Sequence, residues 1–480
     1  MSLQPPTRYL LPCSPSLLRQ DRFDLLETDE CEVPFWRILQ KALVVEITNR
    51  NGLIDILQTV DITVRGKATT DHGFLLDFLN DMGESKERQF FERVWPTLVE
   101  VALEMPMLFP ECSLPVLSDH HRHVALSRRQ VACLVIHQFL CSLPGQPWST
   151  DSSSDFHIWY STDIRHPKAV KAYLSSLFAY FERLPEFSPG FDSNSLSFLS
   201  RKWPITFTLR SLDVRRDVML QSLPMERTFK PMAVRYEPLI STTPTLLGIP
   251  EGACVISANK NVGFGQSATQ EEMHVGLTPE SCPVVLLAPT LRDTQALIVQ
   301  GAEAMAVMEG YGREARLREA SSEDPLHAVH PHTWQRRTML FMDALELDTY
   351  DSSKEIPDLL PGHVDRELLK AYAAFSSEQG KRAYSGIVTG LWGCGAFGGN
   401  REIKTVLQWC AASLAGVSLT FICAGDAQRE FAERLEGFVQ TALTSVWRVG
   451  RVRRLLLKLN PADADARNVF SYLELSYADG

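Results

Sequence analysis

Several things are scarce in this chain, and each scarcity excludes something. No apolar run reaches the length of about 20 residues that a bilayer-spanning helix needs. The opening MSLQPPTRYLLPCSPS has no apolar core behind a basic end, so neither a membrane span nor a secretory leader is expected. Cysteine pairs are missing: the ten cysteines stand singly at 13, 31, 112, 133, 141, 254, 282, 394, 410 and 423, with no CxxC and no regular spacing. Most lie in apolar stretches such as RRQVACLVIHQFLC, which suits buried free thiols in a reducing compartment. A nuclear or cytoplasmic protein is expected. Positive charge is short as well. With 48 Lys and Arg against 58 Asp and Glu the net charge is -10, which argues against an exposed basic surface for duplex nucleic acid but leaves room for a local anion pocket. What remains is an ordinary globular composition, 45% hydrophobic and 22% charged over 480 residues, enough for two or more domains with full cores.

The first 215 or so residues carry apolar positions at three- and four-residue steps, in PFWRILQKALVVEITNRNGLIDILQ, RQFFERVWPTLVEVALEMPMLF, RRQVACLVIHQFLCSLP and PKAVKAYLSSLFAYFERLPEF, and so predict helices. Ser127 with Gln130 makes a capping box for the third of these. The segment SLSFLSRKW reads as a first strand. From about residue 235 the pattern changes to short apolar runs bounded by turn residues: ACVISAN, CPVVLLAP, QALIVQGA, RRTMLFMDAL and VSLTFICAGD. Between the last two lies a helix stripe of Ile403, Val406, Leu407, Cys410 and Leu414 that stops at Gly416. Continuous apolar strands alternating with helices mean a sheet covered on both faces. The predicted division is a helical accessory domain over 1–215 and an α/β domain with a C-terminal helical extension over 216–480. TDSSSD near Asp155 and DADAR near the C-terminus read as surface loops.

Ligands of layered α/β domains bind where strands end and loops run into helices, and two loops qualify. NVGFGQSATQEEMHVG holds Gly263 and Gly265, then Gln270, Glu271 and Glu272. TGLWGCGAFGGN holds Gly390, Gly393, Gly395, Gly398 and Gly399 just ahead of the Ile403 helix. Glycines at that density bring backbone close to something, and amides exposed beside a helix start suit a phosphate or diphosphate. Neither loop has a Lys-Ser/Thr ending or a GxGxxG opening, which excludes those two cofactor patterns.

QEE behind a glycine loop, together with WGCGAFGG, resembles the poly(ADP-ribose) glycohydrolase family, and RRQVACLVIHQFLCSLP, YLSSLFAYFERL, ANKNVGFGQSATQEE, WQRRTMLFMDAL and FICAGD follow in the family's order. The resemblance covers roughly residues 100 to 430. It implies a macrodomain-like three-layer α/β/α sandwich with a mixed sheet, preceded by an α-helical accessory domain. The implied reaction is hydrolysis of the ribose–ribose O-glycosidic bonds of poly(ADP-ribose), releasing ADP-ribose, with ADP-ribosylated proteins as partners and no metal or other cofactor. By motif, Glu272 matches the catalytic acid, and Glu271 and Gln270 match its neighbours that hold the ribose and fix the loop. Asn259 matches a ribose contact, Gly263 and Gly265 the diphosphate loop, and Gly395, Ala396 and Phe397 the second phosphate-side loop; Tyr311 stands beside the ligand or in the core. Adjacent side chains on an extended segment point to opposite faces, so Glu271 and Glu272 cannot clamp a bond between them, and one must do the proton chemistry.

The chain also departs from the family. Phe264 stands for a third glycine, the QSAT spacer is short, Ile256 replaces an aspartate, Met305 and Met308 replace tyrosines, and Leu391 replaces an asparagine. These losses of polar contact leave a non-enzymatic or weakly active reader of ADP-ribose polymers as the alternative. Other features read without function. His120, His121 and His123 in DHHRH lack companion ligands at metal-site spacing and read as a solvated loop. Trp334, Arg336 and Arg337 read as a strand-entry ion pair, and the basic WRVGRVRRLLLKLN as the solvated face of a packed helix.

Overall fold

The computed structural model describes residues 7–478, apart from 29, 69–70, 149–152, 186–197, 213–215, 243–246, 250–251, 319–325, 327–328, 352–354, 378–383 and 463–467. Its centre is an eight-stranded sheet. In chain order the strands are β1 (His123–Leu126), β2 (Ile205–Ser211), β3 (Met232–Glu237), β4 (Gly252–Ala258), β5 (Gln295–Gln300), β6 (Thr338–Asp343), β7 (Gly386–Thr389) and β8 (Leu419–Ala424). Their spatial order is β1-β2-β5-β6-β4-β7-β8-β3. From β6 through β4, β7 and β8 to β3 every pairing is parallel, whereas β1, β2 and β5 join antiparallel. The sheet is therefore mixed, and its two outermost antiparallel strands come from residues that precede 216.

Alternation along each strand feeds two separate cores. In β4, Cys254, Ile256 and Ala258 enter one core while Ala253 and Val255 enter the other; in β6, Met339 and Phe341 part from Leu340 and Met342 in the same way. The first core is shared with the N-terminal helices. They include Arg50–Arg65 and two that matter below, α1 (Arg128–Phe139) and α2 (Pro167–Glu182). The second core is roofed by α4 (His363–Phe375), α5 (Arg401–Ala415) and α6 (Arg429–Thr444), α3 being the short helix Gln270–Gly276 on the first side. Helices thus cover both faces of one sheet. The predicted caps are present: Ser127 and Gln130 form a reciprocal capping box on α1, and Gly416 ends α5 in the left-handed region at φ 78.

Four readings change. CPVVLLAP is not a strand: its Val284–Leu287 form one helical turn, just after a 3-10 turn at Pro279–Ser281. Prolines at 279 and 283 suit helix starts and donate nothing to a ladder, and a short apolar run has no period that tells helix from strand. In SLSFLSRKW the described part is a 3-10 turn at Phe198–Ser200, and the strand starts only at Ile205, just after Pro204. His123 leaves the loop and opens β1, its Nδ1 lying 2.9 Å from Thr208 Oγ1 across the pairing. Asp155 is buried, not on a surface loop: it caps Phe156–Trp159 through the His157 amide and pairs with Arg65 at 2.5 Å. DADAR lies outside the described residues.

Candidate active site

A cavity of about 520 Å³ opens at the carboxyl ends of β3, β4, β7 and β8, where the chain leaves β4 toward β5 and the neighbouring β7 toward β8, in opposite directions across the sheet. That is the position and size expected of a small-molecule site in a layered α/β fold. Its wall is built from Ser257 to Asn259 behind β4, the first turn of α3, and the glycine loop behind β7, with Tyr311 at the mouth.

The first turn of α3 decides how the two glutamates work. Thr269 is the N-cap: its hydroxyl accepts from the Glu272 amide, and the Glu272 carboxylate accepts from the Thr269 amide at 3.1 Å. Glu271 and Glu272 therefore sit on a helix, about 100° apart around its axis, rather than on an extended segment. The conclusion that they cannot clamp one bond stands, for a different reason. Glu271 is buried and both of its oxygens are taken, one by the Asn259 amide at 2.7 Å and one by the Gly263 amide at 2.8 Å. Burial pushes its carboxyl up to about 8 in spite of those two bonds. Its visible task is to tie the β4–α3 loop to the helix. Gln270 does the same for the strand, accepting from the Ser257 amide at 3.0 Å and donating to the Val255 carbonyl.

Glu272 is the half-buried carboxyl of the pair and faces the cavity wall. Burial raises its pKa, against the amide bond from Thr269. A side chain at Gly265 would overlap the Glu272 carboxyl, so the glycine there is required by close approach. Gly263 and Gly265 are not in the cavity wall; the Gly263 amide goes to Glu271 and the Gly265 carbonyl faces the helical region.

The second loop does line the cavity. Gly393 and Gly398 have φ 71 and 69, and a Cβ at Gly393 or Gly399 would strike the buried Lys404 side chain or its surroundings. Lys404 lies 4.9 Å from the Trp392 ring centroid and pairs with Glu367, whose carboxyl it and Arg366 hold below the usual range against the pull of burial. Asp358 accepts from the Asn400 amide at 2.8 Å, and the Asn400 side chain caps α5. The loop is thus wrapped around one buried lysine. Among the described residues the amides of Gly395, Ala396 and Phe397 are given to no acceptor, and these three residues line the cavity. Three successive open amides are the kind of group that can receive an anion. Tyr311 leans over them, its hydroxyl 3.3 Å from where a Cβ of Gly395 would be.

Asn259, Gln270, Glu271, Glu272, Tyr311, Gly395, Ala396 and Phe397 all meet at this cavity. Of the substituted positions Leu391 lines it; Ile256 and Met308 are in the core, and Met305 packs against that core beside Arg183. The sequence reading missed Ile240, Ser241 and Thr242 behind β3, and Arg401 and Gln428 on the rim. The rule that loops follow strand ends would have found the first three had β3 been recognised, but its pattern is half-exposed and weak. Among the described residues Arg337 forms no ion pair: its buried guanidinium donates to the Leu247 and Ala302 carbonyls and to Thr278. The basic C-terminal helix Val449–Lys458 uses Arg453 on Asp365 and Arg451 over the Tyr477 ring, and none of its residues lines the cavity. The described residues bring together no group of three His, Cys, Asp or Glu that could hold a metal ion.

Two family models match this chain in succession. One, described as "Poly (ADP-ribose) glycohydrolase (PARG), helical domain", matches residues 82–195; the other, described as "Poly (ADP-ribose) glycohydrolase (PARG), Macro domain fold", matches residues 229–431. The chain belongs to the poly(ADP-ribose) glycohydrolase family. Among poly(ADP-ribose) glycohydrolases, it is 25% identical to the Caenorhabditis elegans protein 1 over 370 residues, covering 73% of this chain and 42% of that one. It is 22% identical to the Arabidopsis thaliana protein 1 over 494 residues, covering 85% of each. The chain therefore spans less than half the length of the nematode relative. A solved poly(ADP-ribose) glycohydrolase from Deinococcus radiodurans in complex with ADP-ribose shares 15% identity at a TM-score of 0.27, covering 50% of this chain and 95% of that one; a score that low adds nothing to the assignment.

Proposed function

We propose that this chain hydrolyses the ribose–ribose O-glycosidic bonds of poly(ADP-ribose) and releases ADP-ribose. The observation that carries the reading is one cavity lined both by a half-buried carboxyl, Glu272, and by Gly395, Ala396 and Phe397, whose amides are open. A diphosphate seated on those amides would present one ribose to the carboxyl. Glu272, with its raised pKa, gives its proton to the departing ribose oxygen as the bond to the anomeric carbon breaks. The resulting carboxylate takes a proton from water as the water oxygen bonds to that carbon, which restores the acid and balances the reaction. Glu271 supports this by fixing the loop, and from the cavity wall it offers the ribose hydroxyls an acceptor. The ten cysteines are all unpaired thiols, which supports action in a reducing compartment such as the nucleus or cytoplasm.

The deciding experiment is a turnover assay on purified polymer with wild type and Glu272→Gln, run beside calorimetry with ADP-ribose. Release of ADP-ribose by wild type alone, with both proteins binding the product, supports the glycohydrolase. Binding without release by wild type would leave a polymer reader, and release by the variant at the wild-type rate would remove Glu272 from the mechanism.

A further inference from the structure

The loop under Glu272 is gripped from outside the macrodomain fold. Phe156 and Trp159, in the 3-10 turn Phe156–Trp159 of the helical region, stack with centroids 4.7 Å apart and planes 3° from parallel. Phe264 packs edge-on against both, at 5.2 and 5.7 Å. The Trp159 indole N–H donates to the Gly265 carbonyl at 3.0 Å, and the Gln266 side chain donates to the Ile158 carbonyl. On the other side Tyr173 of α2 rests on Trp159 at 5.4 Å and fits so closely to Gly276 that a Cβ there would overlap its ring. Trp159 is 1% exposed, so its N–H has no water to replace the Gly265 carbonyl, and losing the bond is felt.

Beside the Thr269 amide, the Gly265 backbone abuts the Glu272 carboxyl. Whatever sets Gly265 therefore sets one side of the acid's seat. We infer that Trp159, a residue of the helical region, is a positioning residue for Glu272, and that Phe264 is the wedge that docks the loop onto it. This gives the phenylalanine in the glycine loop a purpose: it exchanges backbone freedom for a fixed aromatic contact. The inference rests on Glu272 being the general acid, and its test separates the two ideas.

Trp159→Phe keeps an aromatic ring on Phe156 while removing the N–H and part of the buried indole. Amide hydrogen exchange of residues 262–269 should then speed up by about fivefold, the weight of one hydrogen bond. The kcat on polymer should fall by at least that factor, with KM and the ADP-ribose Kd changed less than twofold. Phe264→Gly should loosen the same amides further. Phe90→Leu, in an aromatic group that packs on Phe178 of α2 without touching the glycine loop, is the stability control: it should lower Tm at least as much as Trp159→Phe and leave kcat per folded molecule within twofold. Unchanged exchange over 262–269 in Trp159→Phe would overturn the inference, as would a kcat loss matched by Phe90→Leu. If wild type binds ADP-ribose but never cleaves polymer, the glycohydrolase reading fails, and the exchange measurement still decides whether Trp159 holds the loop.

Discussion

At the scale of single residues, the two adjacent glutamates divide their work by what their oxygens are bonded to. Glu272 has one oxygen on the Thr269 amide and faces the cavity, so Glu272→Gln should keep the fold and ADP-ribose binding within a few-fold while polymer turnover falls by about 10²–10⁴, the usual weight of one positioned acid. Because burial raises its pKa, the alkaline limb of kcat in wild type should lie above the ordinary carboxylate range; a limb near pH 4 would contradict the assignment. Glu271 makes a different prediction. Its two oxygens serve two amides, and glutamine can accept only one, so Glu271→Gln should cost about 1–3 kcal/mol at pH 5 by leaving a buried N–H unpaired. The sign of its pH dependence follows from a folded value of about 8, above the unfolded one. The native state keeps a proton that the unfolded state has lost, so wild type loses stability between about pH 4.5 and 8 through this group and Glu271→Gln does not. Denaturant titrations should show the gap between the two proteins shrinking as pH rises through that window; a constant gap would argue that Glu271 is already ionised at its lower end.

At the scale of elements, the glycine loop behind β7 is held by α5 and α4 as well as by its own turn bonds, such as those from the Gly398 and Gly399 amides to the Gly395 and Gly393 carbonyls. Lys404 is fully buried among Glu367, Asp358 and the Trp392 ring; its side chain fills the space beside Gly399, while Gly393 has a positive φ and lies against Ala344. Lys404→Met should cost about 3–5 kcal/mol by stranding buried carboxylates, and should weaken ADP-ribose binding before it unfolds the chain. Calorimetry at a temperature where the variant stays folded would show this, and undiminished affinity would mean the loop holds itself. This is also where sequence legibility runs out. The loop, its five glycines and the helix stripe from Ile403 to Gly416 are visible because they rest on local periodicity and on a residue type with one physical use. Lys404 is not visible, since a lysine inside an apolar stripe looks like an ordinary solvated position until Glu367 is brought to it from α4. CPVVLLAP misled for a related reason: its burial against the helical region, not its local pattern, settles its conformation.

At the scale of the whole molecule, the helical region and the macrodomain fold share a sheet and a core. Two strands of the eight, β1 and β2, come from before residue 216, and one continuous core runs from Tyr9 through α1 and α2 to Leu297, Phe341 and Ile422. Buried ties cross the same boundary: Arg128 pairs with Glu280 at 2.5 Å, and Gln138 and Gln146 donate to the carbonyls of Cys282 and Val285. A fragment of residues 216–480 would expose the edge of β5, with Leu297 and Val299 left without cover, and a long apolar edge recruits other chains. Expressed alone, that fragment should aggregate. The whole chain should unfold in one transition, with far-ultraviolet circular dichroism and tryptophan fluorescence coincident in denaturant. A fragment that stays monomeric and binds ADP-ribose would show that the macrodomain fold stands by itself, and would weaken the case that Trp159 must reach across to place Glu272. Two separated transitions in the whole chain would say the same from the other side, because a loop gripped by a region that melts first cannot be held by it.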